Sequence, residues 1–442
     1  MKKIIATIGI AFVLLLSGCS TSLSVDGVLA PPKLSNQQNR IYSALEAQVG
    51  KNITLKYPKS GDYRSAFVLA DIDSDNEDEA LVFYEPNTVT PNSSNLRVNV
   101  LDRNSEGEWF STCDIVGEGV EVDKISFADL GYQGKRSIII GYSSTGTSEK
   151  YMVIYHYAEG MLQECFSQAY SVYETANLTG SEYDDLIFVS SNLEGETAVP
   201  TAKLLQCVNS QLMVVEEVSM NRNVTEYVNV EQGLLFSMRP ALYLDGLEGG
   251  GVMCTEIISF DGTSLYNPIY NEGQNLVKET RRKAGIYCRD IDGDGEIEIP
   301  TQELMPGYVD GRSENIMYMT QWKSYTNGGF EVKKRTFMNS NEGYVFEFPE
   351  HWIGTVSAKK TAESDDIIFF VYHGSLEDDS QEILRMKTVR RTELNQTLER
   401  EGYFEIASVG QLSYVARISP LAPEEYGISA EELIGRFSSI VS

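Results

Sequence analysis

One pattern recurs along this chain and limits what it can become. An apolar, strand-like run enters a polar turn, and a second apolar run leaves it. The five copies are "FVLADIDSDNEDEALVFYE", "ISFADLGYQGKRSIIIGYS", "ANLTGSEYDDLIFVSS", "ALYLDGLEGGGVMCTEII" and "IYCRDIDGDGEIEIPTQ", anchored at Asp71, Asp129, Asn177, Asp245 and Asp290. Their average spacing of roughly fifty to sixty residues is a repeat-array period. A hairpin follows each turn. "VNVLDRNSEGEWFSTC" resembles "MVIYHYAEGMLQEC", and "ISFDGTSLYN" has the shape of "WKSYTNGGFEV". Gly or Asn in these turns supplies the positive φ a tight hairpin requires. Four short strands per unit predict a mainly β protein, with an N-terminal helix plus a β-propeller repeat domain over residues 35–337. A β-sandwich array would not need one acidic turn per unit. Five blades can be counted. The long interval from Asn177 to Asp245 contains "VTEYVNVEQGLLFSM", which has room for further strands. A strand after the N-terminal helix could close the ring.

The turn "DIDGDGEIE" carries chemistry. Asp290, Asp292 and Asp294 place carboxylates at alternate positions, Gly295 permits a sharp bend, Glu296 offers its carbonyl and Glu298 a further carboxylate. Several oxygen ligands around one hard cation suit calcium, whereas magnesium demands a stricter octahedron. Without a cation, three alternating aspartates repel one another. An EF-hand loop needs a bidentate Glu at its twelfth position and a helix on each side. The twelfth residue is Thr301 counted from Asp290 and Val82 counted from Asp71, and the flanks are strand-like. The EF-hand and dockerin readings are therefore excluded.

The shorter form of the loop resembles the FG-GAP or VCBS repeat of integrin-α-like propellers. That resemblance implies a turn between two strands of a blade. The first, third, fifth and ninth residues would bind calcium by their side chains, and the seventh by its carbonyl. One site would use Asp71, Asp73, Asp75 and Glu79 with the carbonyl of Glu77. The other would use Asp290, Asp292, Asp294 and Glu298 with the carbonyl of Glu296. Asn76 stands where glycine is usual, and Asn tolerates the left-handed conformation. The turn at Asp129 has Gly131, Gln133 and Ser137 in place of acids and is expected to bind nothing. The turn at Asn177 keeps Thr179, Ser181 and Asp185, a weak set, and the one at Asp245 is short and glycine-rich.

The N-terminus predicts an address. Met1-Lys2-Lys3 precedes an uncharged apolar run, Ile4 to Leu16, too short to span a bilayer but suited to a signal peptide. The sequence Leu16-Ser17-Gly18-Cys19 resembles a bacterial lipobox. It implies cleavage before Cys19, lipid on its thiol, and a protein held outside the cytoplasm on a membrane surface. Residues 1–18 would be the signal and 19–34 a tether rich in Ser, Thr, Gly and Pro. Ser35 and Gln38 predict a capping box on a helix with Ile41, Leu45 and Val49 on one face, ended by Gly50. Residues 338–442 break the repeat. Strands are expected at 344–348, 367–372, 383–389, 404–408 and 413–418, with one helix at Leu394 and Leu398. A second would start at Ser429 and carry Leu433, Phe437 and Ile440. That pattern predicts a small α+β domain.

With 64 acidic and 36 basic residues the formal charge is −28, which repels nucleic acid and anionic lipid. Cys113, Cys165, Cys207, Cys254 and Cys288 form no CxxC pair and are expected as small apolar residues in strands. His156 and His351 lie beside aromatic residues and are expected to pack rather than catalyse. The GxSxG, HExxH and GxxxxGK[ST] signatures are absent. The sequence thus predicts a non-catalytic binding or scaffold protein for a protein or an envelope glycan, with tyrosine-rich loops as contacts. A hydrolase acting on envelope carbohydrate or peptide, and an assembly factor for exported proteins, are the competing classes.

Overall fold

The computed structural model describes residues 34–87, 95–144, 150–194, 197–271, 274–309, 315–361, 366–377, 381–399 and 402–440. Cys19, the signal and the tether up to residue 33 lie outside the described residues.

Helix α1 (Asn36–Val49) starts where the capping box predicts. Ser35 Oγ accepts from the Gln38 amide at 3.1 Å, and Gln38 Oε1 accepts from the Ser35 amide at 3.0 Å. Gly50, at φ 88°, ends it. The first sheet holds β1 (Ile53–Leu55), β2 (Phe67–Ala70), β3 (Glu79–Pro86), β4 (Arg97–Arg103) and β5 (Trp109–Val116). The second is a meander of β6 (Glu121–Ala128), β7 (Ser137–Ser143), β8 (Lys150–Ala158) and β9 (Met161–Tyr170). The third repeats it with β10 (Val172–Ala176), β11 (Asp185–Glu194), β12 (Thr197–Val208) and β13 (Gln211–Ser219). The fourth has β14 (Val224–Leu235), β15 (Arg239–Glu248), β16 (Val252–Phe260) and β17 (Leu265–Tyr266). A small hairpin, β18 (Tyr270–Asn271) and β19 (Gln274–Asn275), follows, and β20 (Arg282–Lys283) then rejoins the fourth sheet along β16. The fifth sheet contains β21 (Ile299–Leu304), β22 (Tyr318–Thr326), β23 (Gly329–Asn339) and β24 (Tyr344–Glu347). The sixth has β25 (Val356–Lys360), β26 (Ile367–Val371), β27 (Glu382–Arg390), β28 (Phe404–Val409) and β29 (Leu412–Ile418). Helices α2 (Leu394–Leu398) and α3 (Ala430–Gly435) flank it, and β30 (Phe437–Ser439) returns to the fifth sheet beside β24. Every named strand pairing is antiparallel, and the successive meanders pack face to face in chain order as β-propeller blades do.

Side-chain alternation explains why the strands read as continuous apolar runs. Inner strands such as β3 and β7 bury both faces, and successive residues point to opposite ones. On β3, Leu81 and Phe83 meet the second sheet, while Ala80, Val82 and Tyr84 lie under α1 beside Ile41 and Leu45. On β7, Ile138, Ile140 and Tyr142 face the first sheet and Ile139 the third. On β11, Leu186 and Phe188 face the second sheet, and Ile187 and Val189 the fourth.

Four expectations change and one holds. The strand after α1 does not close a ring, because β1 pairs with β3 along the edge that β2 also uses. The long interval does hold an extra strand, β14. Asp245 is not in a turn: it lies within β15 opposite Thr255, and the reversal is made by Gly249–Gly251. Three successive glycines make so tight a turn that pairing resumes at once. Finally, the boundary expected at 337/338 falls inside β23, and β24 and β30 extend the same sheet beyond it. The second C-terminal helix stops at Gly435. Phe437 therefore sits in a strand, stacked on Tyr344 at 5.5 Å, instead of on the helix with Leu433.

Candidate metal turns and an edge-strand cleft

The two best-formed acidic turns occupy equivalent places. One joins β2 to β3. The other runs from the isolated bridge of Arg289 with Glu298 into β21. Their internal bonding is nearly the same. Asp71 Oδ1 accepts from the amides of Ser74 at 2.7 Å and Asp75 at 3.2 Å, and its Oδ2 from Asn76 at 3.1 Å. Asp290 Oδ1 accepts from Asp292 at 3.2 Å and Gly293 at 2.6 Å, and its Oδ2 from Gly295 at 2.9 Å. The fourth and sixth residues of both turns are left-handed: Ser74 (67°), Asn76 (71°), Gly293 (80°) and Gly295 (86°). The sequence marks the sixth position, but Ser74 at the fourth carries a side chain where that conformation is disfavoured.

The ninth residue of each turn is buried beneath it. Glu79 Oε2 accepts from the Ile72 amide at 2.9 Å, and Oε1 has no hydrogen-bond partner. Burial pushes this carboxyl up to about 7 against the Ile72 bond, and the charges of Asp73, Asp102 and Asp75 add to it. Glu298 accepts from Ile291 at 3.1 Å and from Ser324 at 2.9 Å, and its carboxyl is likewise raised by burial. Burial would also raise Asp290, yet the amides of Gly293, Gly295, Asp292 and Asp294 together hold it below its ordinary range. Ligand-capable atoms of Asp71, Asp73 and Glu79 lie within 4.8 Å of one another, as do those of Asp290, Asp292 and Asp294. The first trio includes the ninth-position glutamate. The second consists of the three exposed aspartates without Glu298, which lies below, bound to Ser324. Asp75 instead accepts from Glu77 at 2.8 Å, and the Glu77 side chain approaches Arg103 at 3.8 Å. Asp294 accepts from the Glu296 amide at 2.8 Å. An orphaned buried carboxylate oxygen in a cage of acidic oxygens fits a hard divalent cation.

In the third turn the ninth-position carboxylate meets hydrogen-bond donors instead. Asp185, at the ninth position, is buried and saturated by hydrogen bonds. It accepts from Thr179 N at 2.8 Å, Thr179 Oγ1 at 3.0 Å and Gln206 Nε2 at 2.6 Å. The second turn has Ser137 at that place and is tied to its neighbour, with Asp129 N donating to Asp184 Oδ2 at 3.0 Å.

A separate cleft of about 770 Å³ lies where edge strands of three sheets converge. The β1–β2 loop pairs with β6 through the Lys59 and Ser60 amides. Lys124 on β6 reaches Glu174 on β10 at 2.7 Å, and Gln232 on β14 donates to Thr175 O at 2.9 Å. Asp123 is held by Lys150 at 3.1 Å and by the Tyr170 hydroxyl at 2.7 Å. Gly141 makes this possible, since a Cβ there would stand 2.0 Å from Tyr170 Oη. These residues come from separate sheets and form no local motif, which is why the sequence did not single them out. The tyrosines also depart from expectation, because many are core residues, among them Tyr84, Tyr142, Tyr173, Tyr243, Tyr344 and Tyr414. His156 packs on Tyr132 at 5.5 Å, and His351 on Trp352 at 6.2 Å. The five cysteines are free; Cys254 and Cys288 are buried and the other three partly so.

No family model and no curated protein matches the chain. Among solved structures, it is similar to the exotype rhamnogalacturonan lyase YesX at 8% identity. That match covers 73% of this chain and 72% of the other, with a TM-score of 0.30. It is similar to the Dos1 propeller at 6% identity over 82% of each chain, TM-score 0.29. A third likeness is to TolB from Acinetobacter baumannii at 11% identity over 64% of this chain and 59% of that one, TM-score 0.23. Likenesses this loose carry no assignment of activity.

Proposed function

We propose that the chain is a lipid-anchored, cell-surface binding protein whose β scaffold is fastened by calcium and which does not catalyse. The observation that carries this reading is the Glu79 turn. A buried carboxylate with one orphaned oxygen closes a cage of acids between β2 and β3 of the first sheet. Asp71 and Asp73 with Glu79 would hold one ion, and Asp290, Asp292 and Asp294 the other, with Asp75, Glu77, Glu296 and Glu298 supporting. Bound calcium would neutralise the aspartates and cross-link strand ends. Fixed within the framework of a sheet, it acts as a staple. In the cleft, Asp123 and Glu174 are each held by a lysine, which supports a rigid binding surface.

The address and the activity are tested together in the native host. Cells are labelled with an alkyne fatty acid, fractionated, and the envelope is cross-linked to recover what the protein holds. The reading expects label on the wild type and none on Cys19→Ser, with a specific envelope component recovered. A soluble, unlabelled wild-type protein would refute the anchor. Turnover of the recovered component would refute the non-catalytic role.

A further inference from the structure

The edge-strand cleft has a charge pattern that the scaffold does not explain. Four cations, Arg64, Lys124, Arg136 and Lys150, line it with four carboxylates, Asp62, Asp123, Glu174 and Glu226, in a chain with 64 acidic and only 36 basic residues. The two lysines are used internally by Glu174 and Asp123. The two arginines meet backbone carbonyls and an aromatic ring instead of a carboxylate. Arg64 is exposed and oriented by the backbone, its Nε donating to Gly61 O at 3.0 Å and its Nη1 to Lys59 O. Arg136 is exposed and lies over the Phe127 ring, 5.6 Å from its centroid. Among the described residues neither guanidinium has a carboxylate partner, although Asp62 and Glu226 line the same cleft. Phe127 meets Tyr63 edge to face at 5.1 Å, so an aromatic wall stands beside the arginines.

We infer that this cleft binds an acidic oligosaccharide, one whose sugar rings carry carboxylates. Guanidinium groups fork onto a carboxylate with two parallel hydrogen bonds. Ring hydroxyls both donate and accept. They meet the Lys124–Glu174 and Lys150–Asp123 pairs, which offer both functions side by side, while Asp62 and Glu226 supply acceptors at the edge. The Tyr63 ring, which lines the cleft, would take the apolar face of a sugar ring. At about 770 Å³ the cleft is within the ordinary range for a small ligand, about 300–1,000 Å³. This inference rests on the binding-protein reading and names the class of ligand.

The test is calorimetric titration of the purified chain with tetramers of galacturonate, glucuronate and mannuronate. The controls are their methyl esters, a glutamate hexapeptide and inorganic phosphate. At least one uronate tetramer is expected to bind, and its ester to bind weaker by roughly tenfold or more. The Arg64→Ala/Arg136→Ala double variant should lose a similar factor with an unchanged melting temperature. If that variant does not fold, Arg64→Lys/Arg136→Lys keeps the charge but loses the fork and should bind about threefold weaker or worse. The inference is overturned by no binding of any tetramer, by equal binding of ester and acid, or by binding indifferent to both arginines. Equal binding of the hexapeptide, or displacement by phosphate, also overturns it. Envelope capture that survives loss of both arginines would leave the binding-protein reading standing while this site falls. Shortening of a bound tetramer would keep the site and remove the non-catalytic reading.

Discussion

Ile72 donates its backbone amide to one oxygen of Glu79 at 2.9 Å, and the other oxygen of that carboxylate is buried without a partner. A buried acceptor left unsatisfied costs about 1–3 kcal/mol, and a cation in the turn would recover it. Calcium titrated into metal-free protein should raise the melting temperature. With a dissociation constant of about 0.1 mM and about 1 mM calcium, each site adds about 1.4 kcal/mol. Asp292→Asn/Asp294→Asn should remove the contribution of the second turn, and Asp73→Asn that of the first. An unshifted melting curve in the wild type would eliminate the metal.

Glu256 gives a pH prediction away from the turns. It is buried on β16 and accepts from the Tyr227 hydroxyl at 2.7 Å, the Asn221 amide at 2.8 Å and Asn267 Nδ2 at 3.1 Å. Burial outweighs these donors and pushes its carboxyl up from 4.5 to about 7. The folded state therefore holds this proton more tightly than the unfolded chain. The stabilisation is complete below about 4.5 and is lost as pH rises through about 7. Relative to Glu256→Gln, the wild type should lose up to about 3 kcal/mol between pH 4.5 and pH 8. Urea midpoints of both proteins at the two pH values check this, and parallel profiles would refute it.

Asp245 and Arg282 form a fully buried ion pair at 2.6 Å between β15 and β20, joined by Thr255 and by the Cys288 amide. Removing one partner strands the other charge in the core. Arg282→Met should cost about 3–5 kcal/mol. The double change Asp245→Leu/Arg282→Met should recover much of that loss in the same denaturation assay.

Gly141→Ala should destabilise by about 1–3 kcal/mol through overpacking against Tyr170. Adding Tyr170→Phe removes the oxygen that the new Cβ would meet at 2.0 Å, although a ring carbon remains at 2.9 Å. The melting temperature of the double variant should therefore lie above that of Gly141→Ala alone. Equal or lower stability would mean that the contact is not the cause.

Local signals were legible where short-range chemistry decides them. The capping box at Ser35 and Gln38 appears as written, because both bonds lie within one turn of helix. The hairpins at Gly160 and Gly262 were legible because glycine accepts positive φ. Asp245 was misread because a pattern of Asp and Gly fits both a loop and a strand that reverses tightly; its buried partner, Arg282, lies far along the chain. Phe437 fits the helical spacing from Leu433, but the helix stops at Gly435 and the residue joins the edge of β24.

By itself the sequence determined the repeat, the strand-rich class and the two turns in which acids alternate, since these depend on periodicity and on neighbours a few residues apart. The tertiary structure decided which sheet each strand joins and which turn keeps an orphaned carboxylate. It also decided that Arg64, Asp123, Lys124, Arg136, Lys150 and Glu174 line one cleft. Those outcomes depend on edges of separate sheets meeting, and nothing in the local spacing of residues encodes which edges will meet.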